Sequence, residues 1–441
     1  MIHRKVLAWS VVIALGGFLF GFDTAVISGA EKAIQEVWGL TVFEHGLTVS
    51  IALIGTVFGA LFGGIPSDRL GRRKTLIWIA ILYLVSALGS ALAPGWELFL
   101  LLRFLGGLGV GASSVAAPLY ISEISPPQSR GRLVALFQFN VVFGILIAYL
   151  SNYLLDGYGD VPWRWMLGVE AVPSLLFLLL LFRVPESPRW LITRRGDVER
   201  ARQTLRIINP VSADDDVLAI QQSQVPVGDD SESLWAKQNR VPVLLAIFFA
   251  IFNQVSGINA IIYYAPRIFE MTGLGTSSSL LSSAGIGLVN FCFTLLALNF
   301  IDRFGRRTLM LIGSVGLIAT LALVARAFYT EDFGGYTVPV LLFIYIAFFA
   351  FSQGAVIWVF ISEIFPNAIR AKGQALGSFT HWFMASVIAF TFPYFAQVLG
   401  GGHTFLFFTL MMVLQLFFVW RFMPETKGTS LEQMEKKRLV P

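Results

Sequence analysis

The segment QVSGINAIIYYAP, residues 254–266, places amide and hydroxyl groups inside an apolar stretch. It follows VPVLLAIFFAIF, residues 241–252, which has no polar side chain. An unpaired amide in hydrocarbon costs several kcal/mol, so Gln254 and Asn259 must face protein or water. Because an amide both donates and accepts hydrogen bonds, the pair favours either a neutral polar ligand or contacts between helices, which contribute only about 0.6 kcal/mol each.

A break in the helix is predicted between these two amides. Five residues of an ideal helix turn through about 500°, so the Gln254 and Asn259 side chains would diverge by about 140°. Gly257 lies between them and permits local unwinding, and Pro266 marks the end of the segment. Broken helices that line polar cavities recur in membrane proteins.

Other apolar segments carry polar or aromatic side chains suited to the same ligand. They are Gln138, Asn253, Tyr263, Asn290, Gln353, Trp358, His381 and Trp382. Tryptophan offers an apolar ring face to the carbon side of a sugar-like ligand, and His381 fits either a ligand contact or a hydrogen-bonded core histidine. An anionic ligand would need several cations, and Arg103 alone is available. The set therefore favours an uncharged polyhydroxyl compound.

Two charged residues lie inside apolar spans, Asp23 in GFLFGFDTAVISG and Arg103 in LLLRFLGG. A lone charge at the bilayer centre costs about 2.5–3.5 kcal/mol on insertion scales. Counting residues along their spans places both charges in the outer half of the membrane, so we expect them to meet. The pair is either a static structural contact or a group that titrates during function.

The composition indicates an all-α membrane protein. The 441 residues are 56% hydrophobic and 13% charged, with a mean hydropathy of +0.72. A spanning helix needs about 20 apolar residues. Twelve runs meet this criterion, at about 6–29, 46–66, 75–93, 98–121, 132–155, 165–184, 240–265, 279–300, 308–329, 337–362, 373–397 and 402–423. A basic pI of about 9.3 does not indicate nucleic-acid binding, because the basic residues cluster in short loops between the runs.

The distribution of Lys and Arg predicts that both termini are cytoplasmic. In that orientation the outside loops receive only Lys32, Arg164, Arg267 and Arg326. The first run is too long for a signal peptide and is taken as a spanning helix. We predict an N-terminal six-helix bundle, a cytoplasmic linker with short amphipathic helices, a C-terminal six-helix bundle and a tail, at 1–184, 185–239, 240–423 and 424–441.

Three motifs occur twice in the same order. DRLGRRK at 68–74 returns as DRFGRRT at 302–308, YISEISPPQSRGR at 120–132 as FISEIFPNAIRAK at 360–372, and VPES at 184–187 as MPET at 423–426. A parallel duplication of a six-helix unit explains this order. Such duplications place a ligand site near the membrane midplane, between the repeats.

The duplicated motifs supply a second cluster of charges, on the predicted cytoplasmic side. It consists of Asp68, Arg72, Glu123 and Arg130, repeated as Asp302, Arg306, Glu363 and Arg370. Part of this charge is explained by the preference for basic residues on the inside. The matching glutamates at helix ends also predict ion pairs that bias a conformational equilibrium.

Taken together, these motifs resemble the sugar porters of the major facilitator superfamily over essentially the whole chain. The diagnostic pieces are the two DR(L/F)GRR motifs, LGGLGVGASSVAAPLYISEISPPQSR, PESPRWL, QVSGINAIIYYAP and PETKG. The resemblance implies the major facilitator fold. It also implies that the positions matching Gln138, Gln254, Asn259, Asn290 and Trp358 contact a sugar. A carboxylate at Asp23 is found in proton-coupled members, and the cytoplasmic ion pairs would latch the outward-facing state.

Three positions depart from the family pattern. Asn253 stands where glutamine is usual, His381 where glutamine or asparagine is usual, and Ala355 where proline is frequent. These departures are compatible with a sugar porter, but they do not determine which sugar is bound. The expected function is proton-coupled symport of a neutral monosaccharide.

Two other functions remain open on the same scaffold. One is a facilitative uniporter, which Asp23 disfavours. The other is a sugar-sensing receptor, which would carry a longer tail than the 18 residues after position 423. We expect no enzyme activity, no cofactor, no metal and no nucleic-acid partner. The expected partners are a sugar, a proton and the lipid bilayer, with a monomer in a bacterial cytoplasmic membrane.

Overall fold

The computed structural model describes residues 3–222, 233–366 and 369–427, except the side chains of Leu298, Asn299, Asp302 and Ala371. The regular secondary structure of these residues is helical, and they contain no strand. Twelve helical segments in these ranges are long and apolar enough to cross a membrane, which confirms the twelve predicted spans. The prediction that four basic residues lie in loops is wrong, because the helices extend further than hydropathy suggests. Lys32, Arg164, Arg267 and Arg326 lie on helices.

Unit 1 comprises Met1–Ala30, Ile51–Ser151 and Gly157–Asp229. It contains most or all of α1 (Arg4–Trp38), α2 (Val42–Phe62), α3 (Gly64–Leu70), α4 (Arg72–Leu92), α5 (Trp96–Glu123), α6 (Arg130–Leu155), α7 (Pro162–Gly168), α8 (Ala171–Leu181), α9 (Pro188–Trp190), α10 (Val198–Ile208) and α11 (Ala213–Gln222). The last residues of α1 and α6 and the first of α2 belong to the other unit.

Glycines allow α2 and α5 to pack backbone against backbone. A Cβ at Gly55 would lie 3.1 Å from the Gly107 Cα, and one at Gly111 would meet the Thr56 carbonyl. Small residues are what permits such close approach of helices in a membrane. This contact fixes α5, which carries Arg103.

The linker forms the predicted short amphipathic helices. The Asp197 side chain caps α10 by accepting from the Arg200 N–H at 3.1 Å. α10 buries Ala201, Leu205 and Ile208 at helical spacing, while its other face is charged. Residues 223–232 of the linker lie outside the described part of the chain.

Unit 2 comprises Glu31–Ser50, Asn152–Asp156 and Asp230–Pro441. Its own helices are α12 (Arg240–Val255), α13 (Ile258–Glu270), α14 (Thr276–Phe304), α15 (Arg306–Thr330), α16 (Thr337–Phe351), α17 (Gln353–Ile364), α18 (Arg370–Val398) and α19 (Gly400–Phe422). The rings of Phe249 and Phe360 lie 4.8 Å apart in a core that also buries Phe365. The six-plus-six division predicted from the sequence stays a prediction.

Two membrane segments of unit 2 are broken. The predicted break at Gly257 is confirmed: its φ of +86° is left-handed and separates α12 from α13. Tyr264, with φ −123° and ψ 18°, makes a second irregularity inside α13, ahead of Pro266. A further break, which was not predicted, falls at Ser352 between α16 and α17.

Candidate functional site

A buried polar cluster surrounds the Gly257 break. The Gln254 side chain lies at the end of α12, and its amide nitrogen donates to the Asn253 Oδ1 at 2.9 Å. The Asn259 side chain, on the first turn of α13, donates to the Gln254 Oε1 at 2.6 Å. The break therefore brings together amides that an unbroken helix would turn apart.

His381, on α18, joins this cluster to two indole rings. The Gln254 amide nitrogen lies 3.1 Å from the His381 Nδ1. The His381 ring lies 4.7 Å from the Trp358 ring and 4.9 Å from the Trp382 ring, centroid to centroid. Trp358, the ring beside His381, keeps 38% of its surface exposed. Such a surface is suited to a ligand with both hydroxyl groups and apolar C–H faces.

Three other predicted ligand residues lie on α14, α13 and α6. Asn290 is buried on α14, and its Oδ1 accepts from the Thr294 hydroxyl at 3.4 Å. Tyr263 is buried on α13. Gln138 is half-buried on α6, in unit 1. Their contact with a ligand stays a prediction.

Gln353 takes part in a separate polar chain. Its amide donates to the Gln415 Oε1 at 2.8 Å, and the Gln415 amide donates to the Ser314 hydroxyl at 2.8 Å. The Ser352 break orients this side chain toward α15 and α19. No hydrogen bond connects Gln353 to Gln254 or His381 in the described residues.

Asp23 and Arg103 form a buried ion pair in unit 1, as expected from their positions along the spans. The Arg103 Nη1 pairs with the Asp23 carboxylate, and Nη2 donates to the Asp23 carbonyl at 3.3 Å. The two residues are 3% and 2% exposed. A buried carboxylate without its guanidinium would be costly, so removing Arg103 should be strongly destabilising.

Glu170 is a further charge inside a span, and it was not predicted. It is 2% exposed at the start of α8 and interacts electrostatically with Asp23 and Arg103. Its Oε1 is buried and has no hydrogen-bond partner among the described residues. The Arg103 guanidinium is thus paired with one carboxylate, Asp23, and has a second, Glu170, in its electrostatic surroundings. The sequence feature that could have identified Glu170 is its carboxylate within the apolar run 165–184.

The first predicted charge network is organised by Arg72. Its guanidinium binds both oxygens of Glu123 at 3.0 Å and Asp68 at 2.8 Å. The Glu186 carboxylate accepts from the Arg72 and Arg73 backbone N–H groups at 2.9 and 3.1 Å, which caps α4. Arg130 is exposed and, with Glu123, lines a cavity of about 320 Å³.

The second network repeats this arrangement in unit 2. The Arg306 guanidinium binds Glu363 at 2.8 and 3.2 Å, and the Glu425 carboxylate accepts from the Arg306 and Arg307 N–H groups at 3.0 Å. Arg370 donates to the Phe365 carbonyl at 3.3 Å. The Asp302 side chain lies outside the described part of the chain. The sequence repeat is thus also a repeat of hydrogen bonds.

The chain is similar to known sugar transporters over nearly its whole length. The family model described as "Sugar (and other) transporter" matches residues 9–437. The chain is 37% identical to the D-xylose-proton symporter of Escherichia coli K12, over 97% of this chain and 94% of that protein. It is 37% identical to the arabinose-proton symporter of Bacillus subtilis, over 97% and 94% of the two chains. The glucose transport protein of Synechocystis is 38% identical, over 98% and 97%.

Solved structures show the same likeness. An inward-open structure of the Escherichia coli xylose transporter XylE matches with a TM-score of 0.87 and 35% identity, over 98% of this chain and 99% of that one. A structure of the proton:xylose symporter XylE bound to 6-bromo-6-deoxy-D-glucose matches with a TM-score of 0.78 and 35% identity, over 98% of each. The chain belongs to the sugar transporter family of the major facilitator superfamily.

Proposed function

We propose that this protein is a proton-coupled symporter of a neutral monosaccharide in a bacterial cell membrane, with both termini in the cytoplasm. The main support for proton coupling is the buried Asp23–Arg103 pair. An ionisable pair in a membrane span costs energy and usually has a functional role. We propose that the protein works as a monomer.

The sugar site in this proposal is the cluster at the Gly257 break. Gln254, Asn259 and His381 offer donors and acceptors, and Trp358 offers a ring face. Neutral amides match hydroxyl groups, which also donate and accept. Relatives named as xylose, arabinose and glucose transporters support a pentose or hexose as the substrate.

Proton coupling in this proposal follows from the balance of charge around Arg103. With Asp23 ionised, the guanidinium is held by that carboxylate and also interacts with Glu170. A proton on Asp23 removes one of the two negative charges and weakens the ion pair, which permits the loaded carrier to change state. One proton moving through 100 mV supplies about 2.3 kcal/mol, enough for roughly 50-fold accumulation.

The Arg72–Glu123 and Arg306–Glu363 pairs are proposed to stabilise one conformational state of the carrier. Each exposed pair contributes only about 0–1 kcal/mol, but these are bidentate and partly buried. Several such pairs together bias a two-state equilibrium by a few kcal/mol.

Transport by the purified protein in liposomes tests the proposal. Counterflow is measured against labelled xylose, arabinose, glucose, galactose, fructose and inositol, at two pH values. Accumulation is then measured under an imposed inward proton gradient. We expect one or a few sugars to exchange, and the wild type to concentrate them. Exchange without accumulation would indicate a uniporter, and exchange of none of these sugars would contradict the substrate class.

A further inference from the structure

Outside both proposed sites, a buried carboxylate joins three helices in unit 2. Glu31, near the end of α1, is 1% exposed. It accepts from the Arg267 Nε and Nη2 of α13, each at 2.8 Å. The Nε2 of His45, on α2, lies 2.7 Å from the Glu31 Oε2, and His45 is fully buried. Arg267 also donates to the Gln35 Oε1 at 2.7 Å.

The surrounding charged and titratable groups already have partners. Lys32 and Glu270 pair at 2.6 Å, and Glu44 accepts from the Thr41 hydroxyl at 2.7 Å. From α13, Tyr264 faces the cluster, with its ring 6.0 Å from the His45 ring, and its hydroxyl donates to the Ala389 carbonyl at 2.7 Å. α18 packs here through Ala389 and Phe390, neither of which titrates.

The charges of the cluster therefore reduce to three side chains. The charges of Glu31 and Arg267 cancel, so the cluster has no net charge when His45 is neutral. The His45 Nδ1 is buried and has no hydrogen-bond partner among the described residues. Histidine is the side chain that ordinarily changes charge between about pH 5 and 8, whereas arginine is always charged.

The three side chains differ in how firmly their helices are connected. α1 and α2 are joined by the short loop at 39–41, which keeps Glu31 beside His45. α13 instead begins at the left-handed Gly257 and has a second irregularity at Tyr264. Hinges are formed by a few residues at the ends of elements that absorb changes of φ and ψ, and Gly257 and Tyr264 are such residues. Arg267 is therefore the member of the cluster that can move away.

We infer that Glu31, His45 and Arg267 form a proton-binding latch: when α13 swings away with Arg267, His45 takes up a proton and replaces it as the partner of Glu31. Without that proton, opening leaves a buried carboxylate unpaired, which is costly. The open state thus binds one proton more than the latched state, and acid favours opening. The ratio of open to latched molecules then rises by up to about tenfold per pH unit. Under the proposed topology this end of α13 faces the outside.

The distance between α1 and α13 tests the latch without any sugar. Spin labels are placed at Val37→Cys and Met271→Cys, which are 57% and 39% exposed, in a Cys292→Ala background that removes the single native cysteine. Pulsed electron–electron resonance is recorded in lipid nanodiscs at pH 8 and pH 5.5. We expect a short distance to dominate at pH 8 and a longer one to gain about fivefold or more at pH 5.5.

Three variants decide the assignment. His45→Gln should abolish the pH response, and Glu31→Gln should show the longer distance at both pH values. His403→Gln, an exposed histidine on α19, should respond as the wild type does. A wild type without a pH response, or a His45→Gln protein that keeps it, overturns the latch. If His45→Gln does not fold, Arg267→Gln serves instead and must lose the short distance at pH 8.

The inference rests on the proposed function only for the direction in which the latch opens. The same measurement in Asp23→Asn separates the two proposals, because the proposed coupling group cannot titrate there. We expect the pH response of the distance to persist in that variant. A response lost in Asp23→Asn would assign the proton to the coupling site and overturn the latch.

Discussion

At the residue scale, Gln254 holds the proposed sugar site together. Its side chain contacts Asn253, Asn259 and His381, so a sugar hydroxyl that enters exchanges hydrogen bonds rather than creating them. Such exchange keeps affinity moderate, since each hydrogen bond contributes about 0.5–1.5 kcal/mol net. Moderate affinity suits a carrier, which must also release its substrate.

Gln254→Leu should therefore raise the KM for sugar by roughly 10- to 100-fold, because two or three hydrogen bonds are lost. The matched control is Gln415→Leu, which removes an equally buried amide from the separate chain through Ser314. Initial rates of counterflow over a range of sugar concentrations measure both. Equal changes of KM in the two variants would show that the effect is general loss of packing.

At the element scale, the break at Gly257 positions the site. An unbroken helix would separate the amides of Gln254 and Asn259, whereas the left-handed glycine brings them within 2.6 Å. The same break makes α13 a short segment that carries Asn259 near its beginning and Arg267 near its end. The same helix, irregular at Tyr264, thus carries residues of both the proposed sugar site and the proposed latch.

Gly257→Ala should impair both folding and transport. A side chain disfavours a φ of +86° by about 1–2 kcal/mol, and the new Cβ would lie 2.6 Å from the Phe408 ring. Gly64→Ala is the control, because a Cβ there has no atom within 4 Å. Thermal unfolding in detergent should show a lower midpoint for Gly257→Ala alone. A fully active Gly257→Ala protein would mean that the break is not needed.

At the scale of the whole molecule, the duplication is visible in chemistry as well as in sequence. In each unit, an arginine guanidinium pairs with a glutamate, and a second glutamate caps the helix that begins at that arginine. If these networks stabilise the outward-facing state, their loss shifts the equilibrium rather than the substrate affinity.

Glu123→Gln and Glu363→Gln should each reduce labelling of a cysteine at Ala265 from outside by roughly tenfold, which corresponds to about 1.4 kcal/mol. Ala265 is buried on α13, and Cys292→Ala removes the background reaction. Glu199→Gln is the control, since its carboxylate is 65% exposed on α10. Unchanged labelling in both gate variants would contradict the proposed role of the networks.

Most of the architecture was predictable, because a membrane imposes a length and a polarity on each helix. The Asp23–Arg103 pair followed from counting residues along two spans. The Glu31–His45–Arg267 cluster did not, since its members come from three helices and two of them are separated by 236 positions. The orientation of Gln353 toward Gln415 was not predicted, because it depends on a break that falls at Ser352, two residues before Gly354.

The proton flux that accompanies sugar entry tests the central claim most directly. Proteoliposomes in weak buffer receive the transported sugar while the external pH is recorded. We predict that the wild type makes the medium more alkaline in step with sugar uptake, and that Asp23→Asn exchanges sugar without any change of pH. Sugar entry without proton movement in the wild type, or equal proton movement in Asp23→Asn, would contradict the account.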